Sequence, residues 1–374
     1  MDKMTPRERL LTTIRGGIPD RTPATIHQWQ GYHYTRFMHA QNDMEAFRMV
    51  GLDAVTYPWA CYKPTPAPDW VVTSTEKPVN EGMVEISHGI NTPGGMLTEK
   101  MIRSEYTVTT TEYLVKQPED IYLIQKYLPS SEIDVDAARS VLAGVGQDGI
   151  LRSGTNGPQG SPWQDACCYC GTMNMIYKAH DEPDWTHEFL EILLHKKLEF
   201  YRKNIAPLKG VFSMIETGGG AASNNVISPK MFREFCLPYD IRQHDFIHDI
   251  DPDIAISYHT CGGMMQLLDM IPQNGCDFSE TLSPPGCGGD IVDHRDEIVV
   301  KNSLGAKVKL MGGFNQSEVL EYGNRDQIYT EVERCFSTYG VGGGYIMMPS
   351  DHFFLAPKAN LEHYANAVRE ICLY

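Results

Sequence analysis

Short apolar, β-branched runs alternate with longer amphipathic stretches along most of the 374-residue chain. Eight runs read as strands: residues 22–30 (TPATIHQWQ), 52–59, 149–157 (GILRSGTNG), 210–220, 253–263 (DIAISYHTCGG), 276–282, 308–314 and 344–353. They are short and hydrophobic up to their last residues, as strands of a parallel sheet covered on both faces must be. Eight of them with helices between predict a closed (β/α)8 TIM barrel rather than an open doubly wound sheet. The stretch TPRERLLTTIRGG at 5–17 predicts an opening helix, with Thr5 as cap, Pro6 in the first turn and Gly16-Gly17 as the stop. Residues 71–116 break the alternation. Their period-two pattern, punctuated by Gly, Pro and Asn, predicts antiparallel hairpins inserted after the second strand, over part of the barrel mouth. No repeat or low-complexity linker interrupts the chain, so residues 1–374 read as one domain.

Where the strands run out, the residues turn polar and aromatic. His27, Gln28, Trp29 and Gln30 follow the first run, and Tyr57 and Trp59 the second. Asn156 and Gln159, Glu216, His259 and Cys261, Glu280, Asn315, and Asp351 with His352 and Phe353 follow later ones. In a barrel these ends converge on one face, where the active site sits.

Composition narrows the function. A net charge of −16 argues against nucleic acid, whose binding depends on basic patches. No apolar run approaches the roughly 18 residues of a membrane span, and the start MDKMTPRERLL does not read as a signal peptide. Ten cysteines in so long a chain are no disulfide scaffold and suit reduced thiols in the cytoplasm.

YHTCGG at 258–263 carries the sharpest chemistry. Alternation along a strand puts His259 and Cys261 on the same side, where imidazole and thiolate could share a zinc ion. The plainer alternative is a buried cysteine beside a polar loop histidine. A metal site needs a third ligand, and Asp351, His352, Glu280, Glu216 and Cys287 are the candidates. Other motifs carry less. Cys167, Cys168 and Cys170 fit a helix or its approach, and His244 and His248 fit a helix surface or edge without the zincin glutamate. The glycine-rich stretches lack dinucleotide or P-loop spacing.

TPRERLLTTIRGGIPDRTP, DGILRSGTNGP, ISYHTCGGMMQLLDMIPQNGCD, LMGGFN and GGGYIMMPSDHF, in that order, resemble the uroporphyrinogen decarboxylase superfamily. Within it they resemble the cobalamin (corrinoid)-dependent methyltransferase branch, of the kind that opens O-demethylase systems. The resemblance spans nearly the whole chain and implies a barrel with its site at the C-terminal mouth. The decarboxylases bind a tetrapyrrole's carboxylates through an arginine-bearing loop after the first strand. Here that loop, HQWQGYHYTRF, has no arginine before Arg36, a poor match to a multiply negative substrate.

The methyltransferase branch implies zinc held by HxC and a third ligand after the last strand, usually cysteine. His259 and Cys261 match; the third position falls on Asp351 and His352. A carboxylate or imidazole there makes a harder, more Lewis-acidic zinc, suited to an oxygen donor. The resemblance therefore implies transfer of a methyl group from an O-methyl donor, an aromatic methyl ether by preference, to the cob(I)amide of a separate corrinoid protein. Glu216, Tyr258 and His352 are candidates to supply or relay a proton. His27, Gln28, Trp29, Tyr57, Trp59, Asn156 and Phe353 are candidates to line the substrate pocket. No DxHxxG pattern of a corrinoid module is present, so the corrinoid is expected on a partner; a homodimer is left open. The alternative on the same barrel is a cofactor-free decarboxylase.

Overall fold

The computed structural model describes residues 3–80, 82–155 and 157–374. Its strands in chain order are β1 (Ala54–Thr56), β2 (Tyr62–Pro64), β3 (Val71–Asn80), β4 (Met83–Thr92), β5 (Gly95–Arg103), β6 (Val108–Glu112), β7 (Ser131–Ile133), β8 (Gly149–Ser153), β9 (Phe212–Gly218), β10 (Ala255–His259), β11 (Phe278–Thr281), β12 (Lys309–Phe314) and β13 (Tyr345–Pro349). Strands β1 and β8 to β13 form one curled parallel sheet in sequential order, with helices between them. These are seven of the eight expected strands. The eighth position is filled differently. Met347 N donates to Pro23 O (2.9 Å) and Thr25 N to Met347 O (3.0 Å) on one side, and Asp53 N donates to Ala24 O (2.8 Å) on the other. Residues 22–30 therefore close the barrel through a single bridge at Ala24 rather than as a strand. The cause is local: Pro23 has no N–H to offer, and the Ala24 N–H is taken by the Asp53 carboxylate at 2.9 Å.

The opening helix runs Pro6–Ile14, capped by Thr5 in a capping box with Glu8. Its Leu10 and Ile14 plug the barrel floor against Val55, Ile150, Met214, Ala255, Phe278 and other inward side chains. Its Arg9, with Arg21, pairs with the buried Asp53, tying helix, closing segment and β1 together. Side chains alternate across a strand, so the next inward positions above this floor are Arg152, Glu216, Ser257 and Glu280, then His259. The apolar floor thus gives way within one layer to a charged one.

Strands β3 to β6 form the expected antiparallel insertion after β1. β3 is exposed along its whole length, whereas β4 and β5 bury Ile86, Ile90 and Leu97. The turn before β6 reaches the barrel rim. Tyr106 packs against Tyr32 (5.2 Å) and Phe354 (5.9 Å), and Glu105 pairs with Arg36 at 2.5 Å. No helix of the described residues is long and apolar enough to cross a membrane.

Candidate active site

The charged layer is a connected network at the mouth. Arg152, fully buried on β8, lies 2.7 Å from Glu280 Oε2 on β11 and 3.6 Å from Glu216 Oε2 on β9. Glu280 Oε1 lies 2.9 Å from His259 Nδ1 and 3.7 Å from His27 Nδ1. The Tyr57 hydroxyl donates to Glu216 Oε2. Burial alone would raise both glutamic acids. Arg152, joined by His259, outweighs it and holds both carboxyls below their ordinary range. Burial pushes Tyr57 well above its ordinary value, so it stays a donor. His27 is held well below its ordinary value, first by burial and then by His259 and His352, with Glu280 only partly opposing, and is a neutral imidazole.

Three sets of donors come together here. His259, Cys261 and Asp351 offer atoms within 4.8 Å of one another. So do His27, Asp351 and His352, and so do His27, Glu216, His259 and Glu280. Both carboxylates of the last set already pair with the Arg152 guanidinium, and a metal ion there would face a fixed positive charge. The first set combines imidazole, thiolate and carboxylate, a zinc donor set. Donors around a tetrahedral zinc stand about 3.3–3.8 Å apart, so a small contraction of side chains would suffice. These residues fit a zinc ion, and three protein ligands would leave it one further coordination position. His352 belongs to the second set, and the Gln30 amide lies 3.1 Å from its Nδ1.

Beside the network is a cavity of about 230 Å³ lined by Gln28, Tyr57, Trp59, Gln159 and Glu216 among others. Tyr57 and Trp59 stack in parallel with centroids 4.9 Å apart. A buried pair supports its far wall: Lys197 reaches Asp165 at 2.7 Å and the Gln159 carbonyl at 2.9 Å. A roomier groove of about 440 Å³, walled by Tyr113, Lys178 and Trp185, lies outside the barrel and contains none of these groups.

Most of the residues expected at the site therefore meet there: His27, Gln28, Tyr57, Trp59, Glu216, His259, Cys261, Glu280, Asp351 and His352. Tyr258 does not. Alternation turns it to the helix side of the sheet, where it is fully buried and donates to Asp240 Oδ2 at 2.7 Å. Trp29 and Phe353 belong to the packing of the first loop rather than to the cavity; Trp29 donates to His33 Nδ1, and Phe353 lies edge-on to His33. Cys287 faces Asn315 and Gln316, outside the three donor sets. Asn156 lies outside the described residues. His244 is buried and bonded to Thr217 and to the Asn274 carbonyl, not at a helix surface. Cys167, Cys168 and Cys170 sit on the helix Pro162–Cys170. Arg152 was missed. A charge two residues beyond Ile150 in an otherwise buried strand was its signal.

Comparison with known proteins identifies the family. Uroporphyrinogen decarboxylases of Shewanella piezotolerans and Shewanella halifaxensis are each 28% identical to the chain over 199 residues, 51% of either length. The chain thus matches about half the length of these curated relatives. A methyltransferase from Methanosarcina mazei has the same fold, with a TM-score of 0.65 over 98% of this chain and 99% of that one, at 14% identity. The family model described as Uroporphyrinogen decarboxylase (URO-D) matches residues 109–371, the greater part of the barrel with all its strands from β8 onward. The chain belongs to the uroporphyrinogen decarboxylase (URO-D) family.

Proposed function

We propose that this barrel is a zinc-dependent methyltransferase that moves a methyl group from an O-methyl donor, by preference an aromatic methyl ether, to the cob(I)amide of a separate corrinoid protein. The observation that carries the reading is the meeting of His259, Cys261 and Asp351 within 4.8 Å at the mouth. These three would hold the zinc, with Glu280 orienting His259. Bound there, zinc would supply Lewis acidity to the ether oxygen and favour the leaving phenoxide. The stacked Tyr57 and Trp59 form an apolar wall for a methoxylated ring, and Gln28 and Gln159 offer polar contacts. Glu216 is held ionised by Arg152, which suits it to fix the Tyr57 hydroxyl and not to give up a proton. That leaves His352 as the group that would donate a hydrogen bond to the leaving oxygen. Its Nδ1 accepts from the Gln30 amide, so the ring's proton sits on Nε2.

A cofactor-free decarboxylase is the second reading, favoured by the names of the curated relatives. The physical fit is poorer. Glu216 and Glu280 already pair with the one arginine of the network, and Asp351 adds a further carboxylate beside His259 and His27, an environment for a cation rather than for a polycarboxylate.

The deciding assay combines the chain with a reduced corrinoid protein and methoxylated arenes, and follows methylcorrinoid formation by absorbance. Zinc-dependent methylation that is lost in His259→Ala supports the reading. Turnover that survives complete removal of the metal would contradict it.

A further inference from the structure

Arg152 is a fully buried charge that the proposed chemistry does not consume. Ile150, two residues earlier on β8, packs in the apolar floor, and an apolar side chain could continue that packing. Instead, the guanidinium is held among carboxylates, with the Tyr57 ring 5.6 Å from its central carbon. Nη2 donates to Ser257 Oγ at 2.5 Å and forms an ion pair with Glu280 Oε2 at 2.7 Å, while Nε and Nη1, and Glu280 Oε2 itself, have no hydrogen-bond partner among the described residues. Two unsatisfied donors on a buried cation are costly, so fold stability alone is a weak reason for it.

The geometry shows another reason. His27, Glu216, His259 and Glu280 offer donor atoms within 4.8 Å of one another, and the guanidinium lies against the two carboxylates of that group. Its hold on Glu280 Oε2 leaves Oε1 to accept from His259 Nδ1 at 2.9 Å. With Nδ1 committed, Nε2 is the nitrogen left to join Cys261 and Asp351. We propose that Arg152 is a positioning residue: by clamping Glu280 it fixes the tautomer and ring angle of His259, and so keeps the metal with Cys261 and Asp351. This rests on the zinc reading above and adds to it a residue that touches neither metal nor substrate.

The test measures zinc affinity by chelator competition, together with the thiolate-to-cobalt absorption of the Co(II)-loaded protein. The proteins compared are the wild type, Arg152→Met, Glu280→Gln and the double variant. Each single change is expected to weaken zinc binding about 10–100-fold and to lower the thiolate band. The double variant should be no weaker than the weaker single, because Arg152 acts through Glu280. Wild-type affinity and an unchanged band in folded Arg152→Met would overturn the proposal, as would losses that multiply in the double variant. Should Arg152→Met fail to fold, Arg152→Lys decides. An ammonium restores the charge but cannot span Glu280, Glu216 and Ser257 together, so weaker zinc binding is expected. Full zinc affinity in the Lys variant would show that Arg152 only balances charge. A wild-type chain that takes up no zinc would instead sink the zinc reading itself.

Discussion

A histidine can present either ring nitrogen to a metal, and at His259 the choice is made by a carboxylate. Glu280 takes Nδ1, which leaves Nε2 for the ion. His259→Ala is expected to abolish zinc retention and methyl transfer with the thermal midpoint little changed, read by metal analysis, assay and calorimetry. Tyr258, its neighbour, marks the opposite case. Its partner Asp240 has a carboxyl pushed up to about 7, chiefly by burial, with the Tyr258 hydroxyl and Lys197 only partly opposing. The folded state therefore holds this proton more tightly than the unfolded chain, whose ordinary value is 3.8. That contribution to stability is full below about pH 4 and is lost as pH rises toward 7. Asp240→Asn should remove the decline, gaining on the order of 1–3 kcal/mol at pH 8 and nothing at pH 4 in denaturant titrations. Equal stability of variant and wild type at pH 8 would refute this. Both residues were legible from strand alternation. The same rule that sets His259 and Cys261 on one side sets Tyr258 on the other, and the reading that gave Tyr258 a proton relay did not apply it.

At the scale of elements, the loop after β8 depends on a buried pair one layer out. Lys197, on the helix Pro183–Phe200, holds Asp165 and the Gln159 carbonyl. Burial lifts the Asp165 carboxyl to about 6 even with Lys197 beside it. Lys197→Met should cost about 3–5 kcal/mol at pH 8, where it strands a buried carboxylate, and clearly less at pH 5, where Asp165 is protonated. Unfolding at the two pH values checks this. Gly154 shapes the near wall: a Cβ there would come within 2.4 Å of the Trp59 indole. Gly154→Ala should displace Trp59 from Tyr57, raising KM for the methyl donor about tenfold while zinc content stays unchanged. Most elements could be read in advance because buried parallel strands leave unbroken apolar runs and hairpins leave period-two patterns. The closing segment at Ala24 could not, since a bridge held by an aspartate side chain has the same apolar spelling as a full strand.

At the scale of the whole molecule, the barrel separates two kinds of packing. The opening helix seals the floor with apolar side chains, and the inward-facing charges lie above it toward the mouth, where β8 to β11 and the loop after β13 bring Arg152, Glu216, His259, Glu280 and Asp351 together. Sequence spacing pointed to this face, because strand ends of a barrel converge. It could not tell which carboxylate would meet Cys261, since Asp351 lies on a loop 90 residues further along the chain and its reach is set by the fold. The hairpin insertion adds Tyr106 and Glu105 to the rim, so a partner approaching the mouth would meet its tip. All of this turns on the ion. The most direct measurement is the zinc content of chelator-washed, zinc-reconstituted protein by inductively coupled plasma mass spectrometry. About one zinc per wild-type chain, and none in Cys261→Ser, is the expected result. A wild-type chain that takes up no zinc would contradict the metal site and return the barrel to metal-free chemistry.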